Sequence, residues 1–390
     1  MRLIADGAVD RMGVGGLARA LAVSERHLHR TLVDTVGAPP LALARSQRAH
    51  TARTLIETTA LPFNEVAFAS GFTSVRQFND TTRQIFASTP SELRRARSRA
   101  RADAGRLSLR LAARRPFDGP GLLRWLAARA VLGLEEAGEG SYRRALRLPN
   151  GLGVVELEPS DDHVRAVFKL DDLADLAAAV HRCRKLLDLD ADPLGHAAVL
   201  SEDDVLAPLV AANPGLRVPG TVDGAESAVR AVLGQQVSVA AARTAAGRIV
   251  AAYGVSLERP EGTITHAFPP PETLAEASFD EIGLPRSRRE TLRELAGLLA
   301  SGALALDGGA DRVDAERRLL EIKGIGPWTA AYVALRALED PDAFPAGDLG
   351  LRRAAATLGL PDDAKGLEAR SERWRPWRAY AAHYLWAAGA

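Results

Sequence analysis

Apolar positions recur at helical spacing over residues 1–97, in short runs separated by tight breaks. Leu17, Ala18, Leu21 and Ala22 form one apolar face, and Val23-Ser24 supplies a turn and an N-cap. Glu25 to Val33 predicts a second helix with Leu28 and Leu32 inward, ended by Gly37-Ala38-Pro39-Pro40. A longer amphipathic helix follows from about Leu41 to Thr58. The pattern then repeats: Pro62-Phe63 opens a short helix, Gly71-Phe72 turns, and Ser74 caps a helix to about Phe86. Ser88 to Glu92 starts a last short helix. Residues 94–106 carry charge without apolar period and read as a linker or a fraying helix end. Beyond them the period falls to two. Strands are expected at Leu107–Leu111, Tyr142–Leu148, Gly153–Leu157 and Val164–Phe168, with a turn at Pro149-Asn150-Gly151. Helices near Leu122–Leu132 and Leu173–Leu187 complete a mixed unit. From about Pro214 the chain reads as helical to its end. The expectation is a mainly α chain with an α+β middle domain: a helix-turn-helix domain over 1–97, a linker over 98–106, the α+β domain over 107–213 and a helical domain over 214–390.

Each half of residues 1–97 places a helix behind a tight turn, so its exposed side chains can read base edges in a major groove. Arg26 and Arg30 in the first such helix, and Arg76 and Gln77 in the second, are of the types that pair with guanine and adenine edges. Charge agrees. The net charge of the chain is only +1, but residues 1–100 hold fourteen Arg, no Lys and eight acidic residues, a net of +6 that leaves −5 for the rest. A helical bundle with solvated arginines is the plain alternative. The segments VSERHLHRTL and PFNEVAFASGFTSVRQFNDTTRQIFASTPSELRR resemble the AraC-type DNA-binding domain. The resemblance implies two helix-turn-helix units in successive major-groove turns and promoter DNA as a partner.

The single cysteine, Cys183, is too few for an intrachain disulfide, a four-cysteine zinc site or a cysteine-ligated iron–sulfur cluster. It is expected to be a small buried thiol on an amphipathic helix. No apolar run approaches the ~20 residues of a membrane span, and the first residues do not read as a signal peptide. A cytoplasmic chain without a membrane partner is expected. In a subset of AraC-type regulators that sense methylation, a cysteine-rich zinc domain precedes the helix-turn-helix part. Starting at Met1 without those cysteines, this chain is expected to lack that methyl transfer.

The sharpest motif is LLEIKGIGPWTAAYVALRAL at 319–338, two helices joined by Gly324-Ile325-Gly326. Glycines let the turn approach another backbone closely. The unpaired N–H groups that open the second helix suit a DNA phosphate. An acidic loop, FPAGD, ends at Asp348 just before a further helix. Asp348 reads equally as the N-cap of that helix.

The hairpin and the acidic loop resemble the helix-hairpin-helix DNA glycosylase superfamily. Within it, FDGPGLLRWLAARAV, GLRVPGTVDGAESAVRAVLGQQVSVAAA and ERWRPWRAYAAHYLWAAG resemble DNA-3-methyladenine glycosylase II, over about residues 107–390. The whole then resembles adaptive-response regulator/glycosylase fusions, presumed by that resemblance to be bacterial and to work at the nucleoid. It implies a middle domain like half of the TATA-binding protein, and Asp348 as the catalytic carboxylate, which stabilises positive charge on the deoxyribose. Bifunctional members carry a lysine nucleophile where this chain has Trp328, and an indole forms no Schiff base. A monofunctional glycosylase without lyase activity is expected, acting on double-stranded DNA with alkylated purines.

The resemblance also places Trp328, Tyr332, Trp386 and Trp125 around a flipped base, which aromatic faces hold by stacking and cation–π attraction. Core packing is the competing reading, and it is preferred for Trp374 and Trp377. Gln235 and Gln236 stand where relatives insert a wedge into the DNA, although the familiar wedge at the position of Gln236 is apolar. A polar loop capping the helix after Ser238 would look the same. No cofactor and no metal ligand set is implied, beyond a monovalent cation on the backbone of the hairpin, as in relatives. The arginines at 286, 288, 289, 352 and 353 are candidate phosphate contacts or solvated helix faces. The competing function is a regulator whose glycosylase-like part binds DNA without releasing a base.

Overall fold

The computed structural model describes residues 2–5, 7–59, 61–95, 106–307 and 309–389. The expected linker at 98–106 lies, except for Arg106, outside them. The chain divides into two compact units. The first comprises Met1–Arg110, Leu146–Glu156 and Arg165–Arg182, and the second Leu111–Ala145, Leu157–Val164 and Cys183–Ala390.

In the first unit the helices Ala8–Ala20 and Glu25–Val36 pack with the long helix Pro40–Thr58 around Leu17, Ala18, Leu28, Leu32 and Ala44. Ser24 accepts a hydrogen bond from the His27 amide and so caps the second helix. The first helix stops at Ala20. Ala22, expected on its apolar face, is exposed at a left-handed φ of 52°. The repeat is Phe63–Ala69 followed by Val75–Phe86, which Ser74 caps through the Gln77 amide. Phe63, Phe72 and Phe78 form its aromatic core.

Five strands, β1 (Leu107–Ala112), β2 (Glu135–Gly138), β3 (Ser141–Arg147), β4 (Leu152–Pro159) and β5 (His163–Leu170), form one sheet in the order β1-β5-β4-β3-β2. Alternation buries Leu107, Leu109 and Leu111 on β1, and Val164, Ala166 and Phe168 on β5. The strand pattern missed β2, which pairs antiparallel with β3 through a turn at Glu139-Gly140. β2 opens with a buried charge, Glu135, where a half-buried strand would show an apolar residue.

The rest of the second unit is helical with one exception. The reading of an all-helical stretch after Pro214 is corrected by a hairpin, β6 (Val255–Glu261) and β7 (Ile264–Ala267). Its first strand is largely exposed and carries Pro260 within an irregular register, so it showed no clean period. Trp374, fully buried, and the half-buried Trp377 pack in the core with Phe344, Tyr380 and Tyr384. Cys183 is buried, as expected.

Candidate DNA-repair cleft and DNA-reading helices

Asp348 lies in the second unit at the end of the FPAGD loop. It is the N-cap of the helix Leu349–Thr357, its Oδ1 accepting the Leu351 amide at 2.8 Å. The cap accounts for only part of the carboxylate. Trp386 Nε1 donates to Oδ1 and Trp328 Nε1 donates to Oδ2, both at 2.9 Å. Three N–H groups therefore fix the carboxylate in place.

Trp328 and Tyr332 lie one turn apart on the second helix of the hairpin, Pro327–Ala337, and their rings stack with centroids 5.7 Å apart. Trp386 meets Tyr332 edge-on at 6.4 Å. Trp328, Tyr332, Trp386 and Trp125 are all half-buried, and with Asp348 they line an open cleft of about 1380 Å³. Each of these four rings opens onto the cleft.

Two residues that the sequence reading passed over complete the cleft. Arg336 is 3% exposed, and its guanidinium lies 4.3 Å from the Trp125 ring centroid, 5.2 Å from that of Tyr332 and 5.6 Å from that of Trp386. Arg129 lies 4.2 Å from the Trp125 centroid. The signal was spacing: Arg336 follows Tyr332 by four residues and Trp328 by eight, and Arg129 follows Trp125 by four. Burial lowers the pKa of both guanidinium groups. Burial alone would raise the Tyr332 phenol, but Arg336 and Arg129 outweigh it and hold it below its ordinary value. His383, buried beside Trp125 and Trp386, is pushed well below its usual value by burial and then by the same arginines, so it is neutral. Trp125, Tyr332 and Trp386 are therefore already partnered by the protein's own cations.

A buried network supports this wall. Glu135 accepts from Tyr142 Oη at 2.6 Å and from Arg144 and Arg230 at 3.0 Å each. Glu226 accepts from Arg144 at 2.6 Å and from Arg230 at 2.9 Å. Arg230 also donates to the Arg129 carbonyl at 2.7 Å. Burial would raise the Glu135 carboxyl, but the two arginines more than offset this and hold it below the usual carboxylate range.

The hairpin sits at the edge of the cleft. Gly324 has a φ of +94°, and a Cβ there would meet Thr291 Oγ1 at 2.3 Å, so the turn requires glycine. Thr291 Oγ1 donates to the Lys323 carbonyl at 2.7 Å. A Cβ at Gly326 would meet nothing within 4 Å. The two glutamines separate in role. Gln235 turns to the hairpin, donating to the Gly324 carbonyl at 2.8 Å and to Thr329 Oγ1 at 2.9 Å. Gln236 is exposed at a left-handed φ of 56°, beside exposed Val237. Ser238 caps the following helix by accepting the Ala241 amide, so the capping reading holds as well. Arg288 is tied to the Gln235 carbonyl, Arg289 to Asp280, and Arg286 pairs with Glu290. Exposed Arg353 lines the cleft with Asp348.

In the first unit Arg26, Arg30 and Arg76 are exposed on the two recognition helices. Gln77 is not presented in the same way. Its Oε1 accepts from the Thr73 amide at 3.3 Å and from Thr73 Oγ1 at 3.1 Å, which ties it back to the residue before the N-cap Ser74.

Among the described residues no group of three or more His, Cys, Asp or Glu is placed to hold a metal ion, and no helix is long and apolar enough to cross a membrane.

A glycine-turned hairpin, an aspartate behind it and an aromatic cleft between helices define a DNA-repair glycosylase of the helix-hairpin-helix class. Comparison agrees: residues 229–379 match the HhH-GPD superfamily of base excision DNA repair proteins, 108–223 the AlkA N-terminal domain and 17–96 a helix-turn-helix domain. The "probable bifunctional transcriptional activator/DNA repair enzyme AlkA" of Mycobacterium tuberculosis is 55% identical over 99% of this chain and 79% of its own length. DNA-3-methyladenine glycosylase 2 of Escherichia coli is 34% identical over 70% of this chain and 94% of its own. A solved 3-methyladenine DNA-glycosylase from Archaeoglobus fulgidus has the same fold, with a TM-score of 0.62 at 24% identity over 72% of this chain and 97% of that one. The chain belongs to the AlkA family, in the form that carries an N-terminal helix-turn-helix domain.

Proposed function

We propose that the cleft hydrolyses the N-glycosidic bond of alkylated purines, 3-methyladenine among them, in double-stranded DNA, and leaves an abasic site. The observation that carries this reading is the carboxylate of Asp348, held by Trp328, Trp386 and the Leu351 amide at the side of an open aromatic cleft. Alkylation at N3 or N7 makes a purine cationic and a good leaving group, so the site needs no strong acid. It needs a slot for the extruded base and a negative group beside the sugar as positive charge develops there. Tyr332, Trp328, Trp386 and Trp125 supply the slot, and Asp348 supplies the charge.

The proposed enzyme is a monofunctional hydrolase. Trp328 stands where a lysine nucleophile would be needed, and its indole N–H is engaged with Asp348. Lys323 is exposed on the hairpin turn and does not take that position. Gln236 is the proposed wedge and Gln235 its mount, while the Gly324–Gly326 turn holds a phosphate. No cofactor takes part. A monovalent cation on the backbone carbonyls of the hairpin would have no role in the chemistry. Arg26, Arg30 and Arg76 contact promoter DNA or anchor the enzyme to the nucleoid in a bacterial cytoplasm.

Incubating methylated DNA with the chain and chromatographing the released bases tests the hydrolysis, and borohydride trapping tests the lyase. Free 3-methyladenine without a trapped covalent adduct is expected. A trapped adduct would overturn the monofunctional assignment, and absence of free base would overturn the hydrolysis.

A further inference from the structure

The arginines behind the aromatic rings need their own account. Glu135 and Glu226 lie against Arg144 and Arg230, so that network is charge-balanced. Arg336 and Arg129 are different. Among the described residues neither is within ion-pair distance of a carboxylate, yet both line the cleft. Arg336 donates to the Pro219 carbonyl at 2.7 Å and its guanidinium lies 5.2 Å from the Tyr332 ring centroid, but its buried Nε has no partner. A 3%-exposed cation with an unmet donor is costly to keep. Its place also conflicts with simple attraction of a cationic base, because a second positive charge would sit against it.

The conflict is resolved by following the charge through the reaction. When the C1′–N bond of an alkylated purine breaks, its electron pair goes to the base. The base departs neutral, and positive charge appears on the sugar. Water oxygen then bonds to C1′ and its proton passes to solvent. Positive charge thus moves from the base toward the sugar, the end of the cleft where Asp348 stands. We propose that Arg336, assisted by Arg129, is the leaving-base residue of this enzyme: a fixed cation at the base end that opposes charge on the bound base and favours its loss. Asp348 and Arg336 act as the two ends of one field, with Trp386 between them, bonded to Asp348 by its N–H and facing the Arg336 guanidinium with its ring. The same field serves a neutral purine lesion, which departs carrying negative charge toward the arginine.

The inference rests on the hydrolytic reading above. Its test is single-turnover base release by the full chain from methylated DNA and from DNA containing hypoxanthine, a purine without positive charge. Arg336→Met is expected to slow release of 3-methyladenine on the order of ten- to a hundredfold, with half-saturating DNA concentration unchanged or lower. Release of hypoxanthine is expected to fall at least as far. Arg336→Lys, which keeps the charge and changes the hydrogen bonds, is expected to stay within about threefold of the parent on both. Arg129→Met, at a less buried position, carries the same expectation if Arg336→Met fails to fold. Equal losses in the Met and Lys variants, or a loss confined to half-saturation, would mean a merely structural arginine and overturn the inference. Absence of release by the parent chain would overturn the hydrolytic reading itself, whereas a parent that releases base alongside an unimpaired Arg336→Met overturns only this one.

Discussion

The indole of Trp386 donates to Asp348 Oδ1, the same oxygen that caps Leu351, so one ring both walls the cleft and aims its carboxylate. Trp328 does the same for Oδ2 from the other side. Ring and N–H can be separated by mutation. Trp386→Phe keeps an aromatic wall and removes one bond to a charged acceptor, which is worth about 1.5 kcal/mol. Single-turnover base release is expected to fall roughly tenfold, with binding of lesion DNA changed far less. An equal loss in binding would show that the ring alone matters.

In the proposed function the two glutamines divide mounting from insertion. Gln235→Ala removes hydrogen bonds to Gly324 and Thr329 and is expected to cost about 1–2 kcal/mol of stability. Gln236→Ala, at an exposed position, is expected to leave the melting temperature unchanged while weakening the preference for damaged over intact DNA. Thermal melts and fluorescence anisotropy on both variants check the division. Reversed phenotypes would refute it.

Glu135 links the α+β strands to the arginines under the cleft. With Arg144 and Arg230 left to share Glu226 alone, one buried positive charge goes uncompensated, and Glu135→Gln is expected to destabilise the chain by about 3–5 kcal/mol. The folded chain holds this carboxyl below its unfolded value of about 4.3. Its stabilising contribution is therefore present above pH ~4.3 and is lost as pH falls through the lower folded value. Urea melts from pH 7 downward are expected to show a steeper acid loss in the parent than in Glu135→Gln. Parallel curves would contradict the network's role.

In the helix-turn-helix unit, Gln77 and Arg76 are adjacent with opposite duties. Gln77→Ala is expected to lower stability by about 0.5–1 kcal/mol through the lost cap, with little change in sequence preference. Arg76→Ala is expected to leave stability intact and weaken DNA binding. If its contact is a phosphate, the slope of log affinity against log salt drops by about one. Binding titrations at several salt concentrations distinguish the two.

Much of this was legible in the chain. Ser24 and Ser74 announced the recognition helices because caps are local chemistry. The i, i+4 spacing of Trp328 and Tyr332 announced a shared face, and FPAGD announced both a cap and a carboxylate. What stayed hidden depends on partners far away in sequence. Arg336 drew no reading, because its main ring partner, Trp125, lies over two hundred residues earlier and comes within 4.3 Å of it only in the fold. β2 was hidden because Glu135 is tolerated inside through Tyr142 and Arg144 on the next strand and through Arg230, which a helix from another segment brings in. The β6–β7 hairpin faces solvent too fully to leave an alternating pattern. Gln77 was read as a base reader because its residue type suits that task, whereas Thr73 recruits it locally.

The account turns on whether Asp348 stands beside the sugar of an extruded alkylated base. Release of 3-methyladenine from methylated DNA by the parent chain and by Asp348→Asn, an amide that retains the Leu351 cap acceptor, measures this most directly. The account predicts free base from the parent and a loss of at least a hundredfold in the variant, with its fold and DNA binding retained. Undiminished release by Asp348→Asn would contradict it.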